Sequence, residues 1–288
     1  MNFLNQINFE VLGSPTDKVP IVFLHGLMGY GLNWKKIAKA FQNDRQVLIY
    51  DQRGHGKSFK PETGYQPEDY ADDLIQIIDE IGWEKIDLIG HSMGGRNALN
   101  FTHRSPERVR RFIIEDIGPE VSQDSLERIQ NLINLVPVPF ENKQSAKEFF
   151  LVKYPALISK NSQAHVLAQY FYANMIEAEN GTVDWRFSLN AILSSLKEGR
   201  IRTRWDEWDE LKVPTFVIRG EHSEDLSSEI FIEMLQRNRL SRGFEVKGSG
   251  HWVHFEKSDL FIQLVRRFLD TDIDEIFRQD FDFQERSS

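Results

Sequence analysis

Five strand-length apolar runs, each leading toward a turn and a helical stretch, constrain this chain more than any other feature. They are Val19-Pro20-Ile21-Val22-Phe23-Leu24, Val47-Leu48-Ile49-Tyr50, Ile86-Asp87-Leu88-Ile89, Arg111-Phe112-Ile113-Ile114 and Val213-Pro214-Thr215-Phe216-Val217-Ile218. A strand with one wet face alternates polar and apolar residues, whereas a run that is apolar nearly throughout must be covered on both faces. Helices supply the cover. Trp34, Ile37, Ala38 and Phe41 recur at helical spacing behind Asn33, a candidate cap. Pro67 to Ile81 carries Tyr70, Leu74, Ile77, Ile78 and Ile81 on one face and stops at Gly82. Strands alternating with helices imply right-handed crossovers and an α/β fold with a mostly parallel central sheet. Ile7 to Leu12 alternates loosely and reads as an edge strand.

The alternation stops at Glu120. From there to about Trp208 the pattern is helical throughout, over Leu126 to Leu135, Ala146 to Tyr154, Ala164 to Ile176 and Phe187 to Leu196, with breaks at Pro137, Pro139, Pro155 and Gly181. The sheet pattern then resumes, continues at Gly243-Phe244-Glu245-Val246, and closes with an amphipathic helix from Ser258 to Leu269. The expected organisation is therefore a core of residues 1–119 and 209–270, an inserted helical cap at 120–208, and an acidic tail at 271–288. Ile276, Phe277, Phe281 and Phe283 suggest that the tail packs somewhere. There is no internal repeat.

Bulk properties exclude several classes. A formal net charge of −9 over 288 residues argues against a nucleic-acid partner, which needs a basic face. The chain has no cysteine, so disulfides and thiolate metal sites are ruled out. The first residues lack a basic region followed by an apolar stretch, and no window approaches the ~18 apolar residues of a membrane span. The expectation is a soluble, cytoplasmic protein, monomer or homodimer, with no membrane span.

Chemistry concentrates at Gly90-His91-Ser92-Met93-Gly94, between an apolar run and the helix-forming Gly95-Arg96-Asn97-Ala98-Leu99. In a G-x-S-x-G turn the glycines let the backbone bend tightly and project the serine hydroxyl outward. Ser92 is the candidate nucleophile; the alternative is a glycine-rich turn without chemistry. A serine hydroxyl needs a base oriented by a carboxylate. His251, in Gly250-His251-Trp252, falls between the last strand and the last helix and is the candidate base, with His254 as a packing residue. His103, His165 and His222 lack such a context. For the acid, the place after the Thr215 to Ile218 strand holds Ser223, with Glu224 and Asp225 beside it. Asp116, at the end of the strand after the nucleophile helix, is the other candidate and the favoured one, because a carboxylate there is costly unless paired. The amides of Met93 and Leu27 are candidate oxyanion donors. His25 and His55 are assigned to loop and turn structure.

Four stretches in this order, His25-Gly26-Leu27-Met28-Gly29, Asp51-x-Arg53-Gly54-His55-Gly56-x-Ser58, Gly90-His91-Ser92-Met93-Gly94-Gly95 and Gly250-His251-Trp252, resemble the α/β-hydrolase superfamily. Within it, Glu115-Asp116-Ile117-Gly118-Pro119 and Gly250-His251-Trp252-Val253-His254 are similar to small bacterial carboxylesterases and thioesterase-like members. That resemblance supports Asp116 as the acid and Ser223 in place of an aspartate. It implies a serine hydrolase acting on a small-molecule carboxylic ester or thioester of small to medium acyl group, with no cofactor and no metal. Arg96 matches an arginine with which a lyase of the superfamily holds carboxylates, so lyase or C–C bond chemistry on an anionic substrate is the alternative, and a non-catalytic ligand receptor a third. Arg96, Trp185 and Trp252 are the candidate substrate-binding residues, and Phe149, Phe150, Tyr154, Tyr170 and Phe171 further candidates for an apolar pocket wall.

Overall fold

A computed structural model describes residues 2–120, 125–161, 163–199 and 201–278. The main sheet contains β1 (Phe9–Leu12), β2 (Ile21–Leu24), β3 (Val47–Tyr50), β4 (Ile86–His91), β5 (Val109–Glu115), β8 (Thr215–Gly220) and β9 (Ser241–Val246). The intervening β6 (Met175–Glu177) and β7 (Val183–Trp185) pair with each other in a separate sheet. Spatial order is β1-β3-β2-β4-β5-β8-β9, with β1 antiparallel to β3 and all other neighbours parallel.

The apolar runs follow from burial on both faces. Val22, Leu24, Leu48, Tyr50, Leu88, Phe112, Ile114 and Val217 point to one core, where they meet α2 (Pro67–Ile81) and α3 (Met93–Arg104), the helices that follow α1 (Lys35–Phe41). The alternate residues Ile21, Phe23, Val47, Ile49, Ile89, Ile113, Phe216 and Ile218 point to the other, where they meet α1 and the Ser258–Asp270 helix. The chain winds outward from β2 to β3, then returns to β4 and proceeds the other way. That reversal opens a crevice at the carboxyl ends of β2 and β4, the usual ligand site of an open α/β sheet.

Between β5 and β8 the chain builds a third apolar cluster, rich in aromatic rings, from Phe140, Phe149, Phe150, Tyr154, Phe171, Trp185 and Phe187 among others. The expectation of helix throughout fails here at β6 and β7. Asn180-Gly181 turns the chain, with Gly181 at φ +85° and the Ala178 N–H donating to the Thr182 carbonyl at 2.8 Å. Ile176, Thr182, Val183 and Trp185 favour strand. The expected Phe187 helix accordingly begins only at Leu189, with Ser188 as its N-cap. Asn33 caps differently from the expectation: its Oδ1 accepts from the Tyr30 N–H ahead of a 3₁₀ turn, Gly31–Trp34, that runs into α1. At the far end, Ile276 is buried against the sheet within the short Ile273–Ile276 helix. The tail residues Phe281 and Phe283 lie outside the described residues.

Candidate active site

The turn after β4 is strained in the way G-x-S-x-G implies. Ser92 has φ 53° and ψ −122°, in the left-handed half of backbone space that side chains avoid. A Cβ on Gly90 would come within 2.3 Å of the Gly94 carbonyl oxygen, and one on Gly94 within 2.5 Å of the Leu24 oxygen. Only glycine allows strand and helix to approach this closely. Met93 is the first residue of α3, so its N–H is one of the uncommitted donors of a helix start.

The candidate acids are sorted by distance. Asp116 is buried, at positive φ, and its Oδ2 lies 2.7 Å from His251 Nδ1. Its Oδ1 accepts from the Gly220 N–H at 2.8 Å, and Ser223 Oγ donates to its Oδ2. Ser223 thus stands against the carboxylate from the loop after β8, the alternative place for the acid. Asp225 Oδ2 is 3.5 Å from the same imidazole nitrogen, while its Oδ1 accepts from Arg128 at 2.7 Å. Glu224 is paired with Arg128 at 2.8 Å. Burial disfavours a charged His251, but the carboxylates of Asp225, Asp116 and Glu115 outweigh it and raise the imidazole to about 9. Burial likewise pushes Asp116 upward, opposed by His251, Ser223 and Gly220.

The loop after β2 is held from below by neutral histidines. His25 Nδ1–H donates to the Gly26 carbonyl at 2.9 Å, and its Nε2 accepts the Gln52 N–H at 3.0 Å. His55 Nδ1–H donates to the Arg53 carbonyl, and its Nε2 accepts the Met28 N–H at 3.3 Å. Burial lowers the two to about 4 and about 3. Both therefore do the structural work expected of them.

Leu27, Ser92, Met93, Arg96, Asp225, Glu224, His251 and Trp252 share the wall of one open cavity. Ile129, Leu132, Leu167, Phe171 and Leu196 of the inserted segment line it too, as does His222 from the loop after β8. Trp185 is not on this wall: it stacks on Phe187 at 4.8 Å in the aromatic cluster. Phe149, Phe150, Tyr154 and Tyr170 pack there as well, and Tyr170 also donates its hydroxyl to the Leu27 carbonyl at 2.9 Å. Arg96 donates to the carbonyls of Gly118, Pro119 and Gly199 at 3.3, 3.1 and 2.8 Å, so main-chain oxygens take up its fork. Sequence reasoning missed Arg128, which links the inserted segment to Glu224 and Asp225. A lone arginine in a predicted amphipathic helix carried no signal for it.

A family model of the alpha/beta hydrolase fold matches residues 19–258, and the chain belongs to that family. A protein described as an esterase/lipase from Haemophilus influenzae is 31% identical over 257 residues, covering 86% of this chain and 82% of the relative. An sn-1-specific diacylglycerol lipase of Xenopus tropicalis is 28% identical, covering 92% of this chain and 82% of its own length. Among solved structures, E-2-(acetamidomethylene)succinate hydrolase superposes with a TM-score of 0.79 over 92% of this chain and 95% of its own, at 22% identity, a likeness of fold.

Proposed function

We propose that the protein is a serine hydrolase of carboxylic esters or thioesters working through an acyl-enzyme. The observation that carries this reading is the meeting, on one cavity wall, of a serine on a strained strand-to-helix turn with an imidazole tied to a buried carboxylate. With its Nδ1–H donating to Asp116, His251 presents a bare Nε2 that takes the proton of Ser92 as the oxygen attacks the acyl carbon. The N–H groups of Leu27 and Met93 hold the oxyanion, each donor of this kind being worth about 3 kcal/mol. His251 then passes the proton to the leaving alcohol or thiol. Water, deprotonated by the same imidazole, attacks the acyl-enzyme and releases the acid. The leucine and phenylalanine side chains of the inserted segment form an apolar wall suited to an acyl chain. Esterase and lipase names among the relatives support the same bond type.

Hydrolysis of p-nitrophenyl esters from acetate to palmitate, wild type beside Ser92→Ala, tests the reading. Activity that peaks at one chain length and vanishes in the variant is expected. Equal turnover by a folded Ser92→Ala protein would overturn it.

A further inference from the structure

Beside each proposed triad member stands a residue that the mechanism does not use. His91 precedes Ser92, Glu115 precedes Asp116, and His254 follows His251 by three. The three meet behind the triad. His91 and Glu115 are paired in the β4–β5 register, and all three side chains are buried. His91 Nε2–H donates to the main-chain carbonyl of His251 at 2.9 Å. The Glu115 carboxylate accepts the His254 N–H at 2.8 Å and the His254 Nδ1–H at 2.9 Å. The His91 ring lies 4.6 Å from that of His251 and 4.9 Å from that of His254, and the His254 ring lies 4.2 Å from that of Trp34.

Two imidazoles and a carboxylate this close could in principle hold a cation, since their ligand atoms fall within 4.8 Å of one another. In the structure His91 Nε2, His254 Nδ1 and the Glu115 oxygens are committed to the main chain or to one another. We infer that Glu115, His254 and His91 are positioning residues that hold the His251 loop from behind and thereby fix the aim of the base. This inference rests on the reading of Ser92, His251 and Asp116 as a triad.

The physical argument is one of constraint. Asp116 fixes only Nδ1, which leaves the ring able to pivot if its backbone moves. His91 grips the carbonyl of His251 itself, and Glu115 grips the first turn of the Val253–Glu256 helix that follows. A buried carboxylate is costly, and here it makes no contact with the reacting atoms. What it secures is the placement of the imidazole, where a misplacement of about 1 Å costs about 100-fold in rate.

Two measurements test this. In ¹⁵N-histidine spectra of the wild-type protein, His91 should be neutral with its proton on Nε2, and His254 neutral with its proton on Nδ1. Neither should titrate between about pH 5 and 9, a span over which an unconstrained imidazole changes charge. The opposite tautomer at either ring, or titration of either, would overturn the proposal even if every variant failed to fold. Kinetically, His91→Leu removes the donor at similar volume, and His91→Gln returns an amide donor near the Nε2 position. Leucine should lower kcat about 10- to 100-fold with KM within about twofold, and glutamine should recover most of that loss. Wild-type kcat in folded His91→Leu, or no recovery in a glutamine variant of equal Tm, would refute positioning. Ser92→Ala measured alongside separates the two levels: turnover there sinks the triad reading itself, whereas a failed His91 rescue beside a dead Ser92→Ala sinks only this inference.

Discussion

Across the cavity the sheet edge and the inserted segment are held together differently. At the sheet edge nearly every group has a polar partner: Asp116 is met by His251, Gly220 and Ser223, His25 by Gln52, and His91 by the His251 carbonyl. The facing wall of Leu132, Leu167, Phe171 and Leu196 belongs to a cluster cohering through ring and aliphatic contacts, such as Phe171 against Trp185 at 5.5 Å. Directional bonds fix positions to fractions of an ångström, whereas apolar packing fixes volume and tolerates exchange. On the proposed reading, bond-breaking falls to the edge and choice of acyl group to the wall.

Substitutions should break that division in a graded way. Asp116→Asn keeps the shape but reverses a hydrogen bond, so kcat should fall by about 10⁴-fold with little change in KM in steady-state ester hydrolysis. Asp225→Asn should fall far short of that, because its contact with His251 is longer and shared with Arg128. On the other side, Phe171→Ala, at a fully buried position, should cost about 3–5 kcal/mol in denaturant unfolding while the preferred chain length moves toward longer acyl groups.

The pH dependence sharpens the same contrast. Because the folded pKa of His251 is raised from 6.5 to about 9, its imidazolium stabilises the fold fully below 6.5, and that contribution is lost as pH rises through about 9. With His251 as the proposed base, active only when deprotonated, kcat/KM should climb as pH rises through about 9. Asp225→Asn removes one of the charges that raise it and should move the limb toward lower pH, as a rate profile would record. The smallest effect is expected at the seam: Arg128→Ala removes partly exposed ion pairs to Glu224 and Asp225 and should change Tm by what about 0–1 kcal/mol allows.

The same contrast explains what was legible in the sequence. Continuous apolar runs and glycine spacing report burial and close backbone approach, so the parallel sheet, the Ser92 turn and the His251 loop could be read directly. Asp116 could be ranked but not fixed, because its separation from Asp225 depends on how β5 and β8 align in space. The inserted segment departs from the helical reading at Met175–Glu177 and Val183–Trp185, because Gly181, read as a break between helices, is instead part of the turn that joins two short strands. Trp185 looked like a pocket residue because a single sequence does not say which side of a small apolar cluster faces a cavity. Arg128 and the Glu115-His254 pair were invisible for a related reason: each is defined by a partner about a hundred or more residues away.

The central claim is that Ser92 carries the acyl group. Acid quench of the enzyme with a p-nitrophenyl ester, followed by peptide mass spectrometry, tests it most directly. An adduct of acyl mass on the peptide containing Ser92, decaying in buffer and absent from Ser92→Ala, is the predicted result. Steady turnover with no adduct on that peptide, or an adduct on another residue, would contradict it.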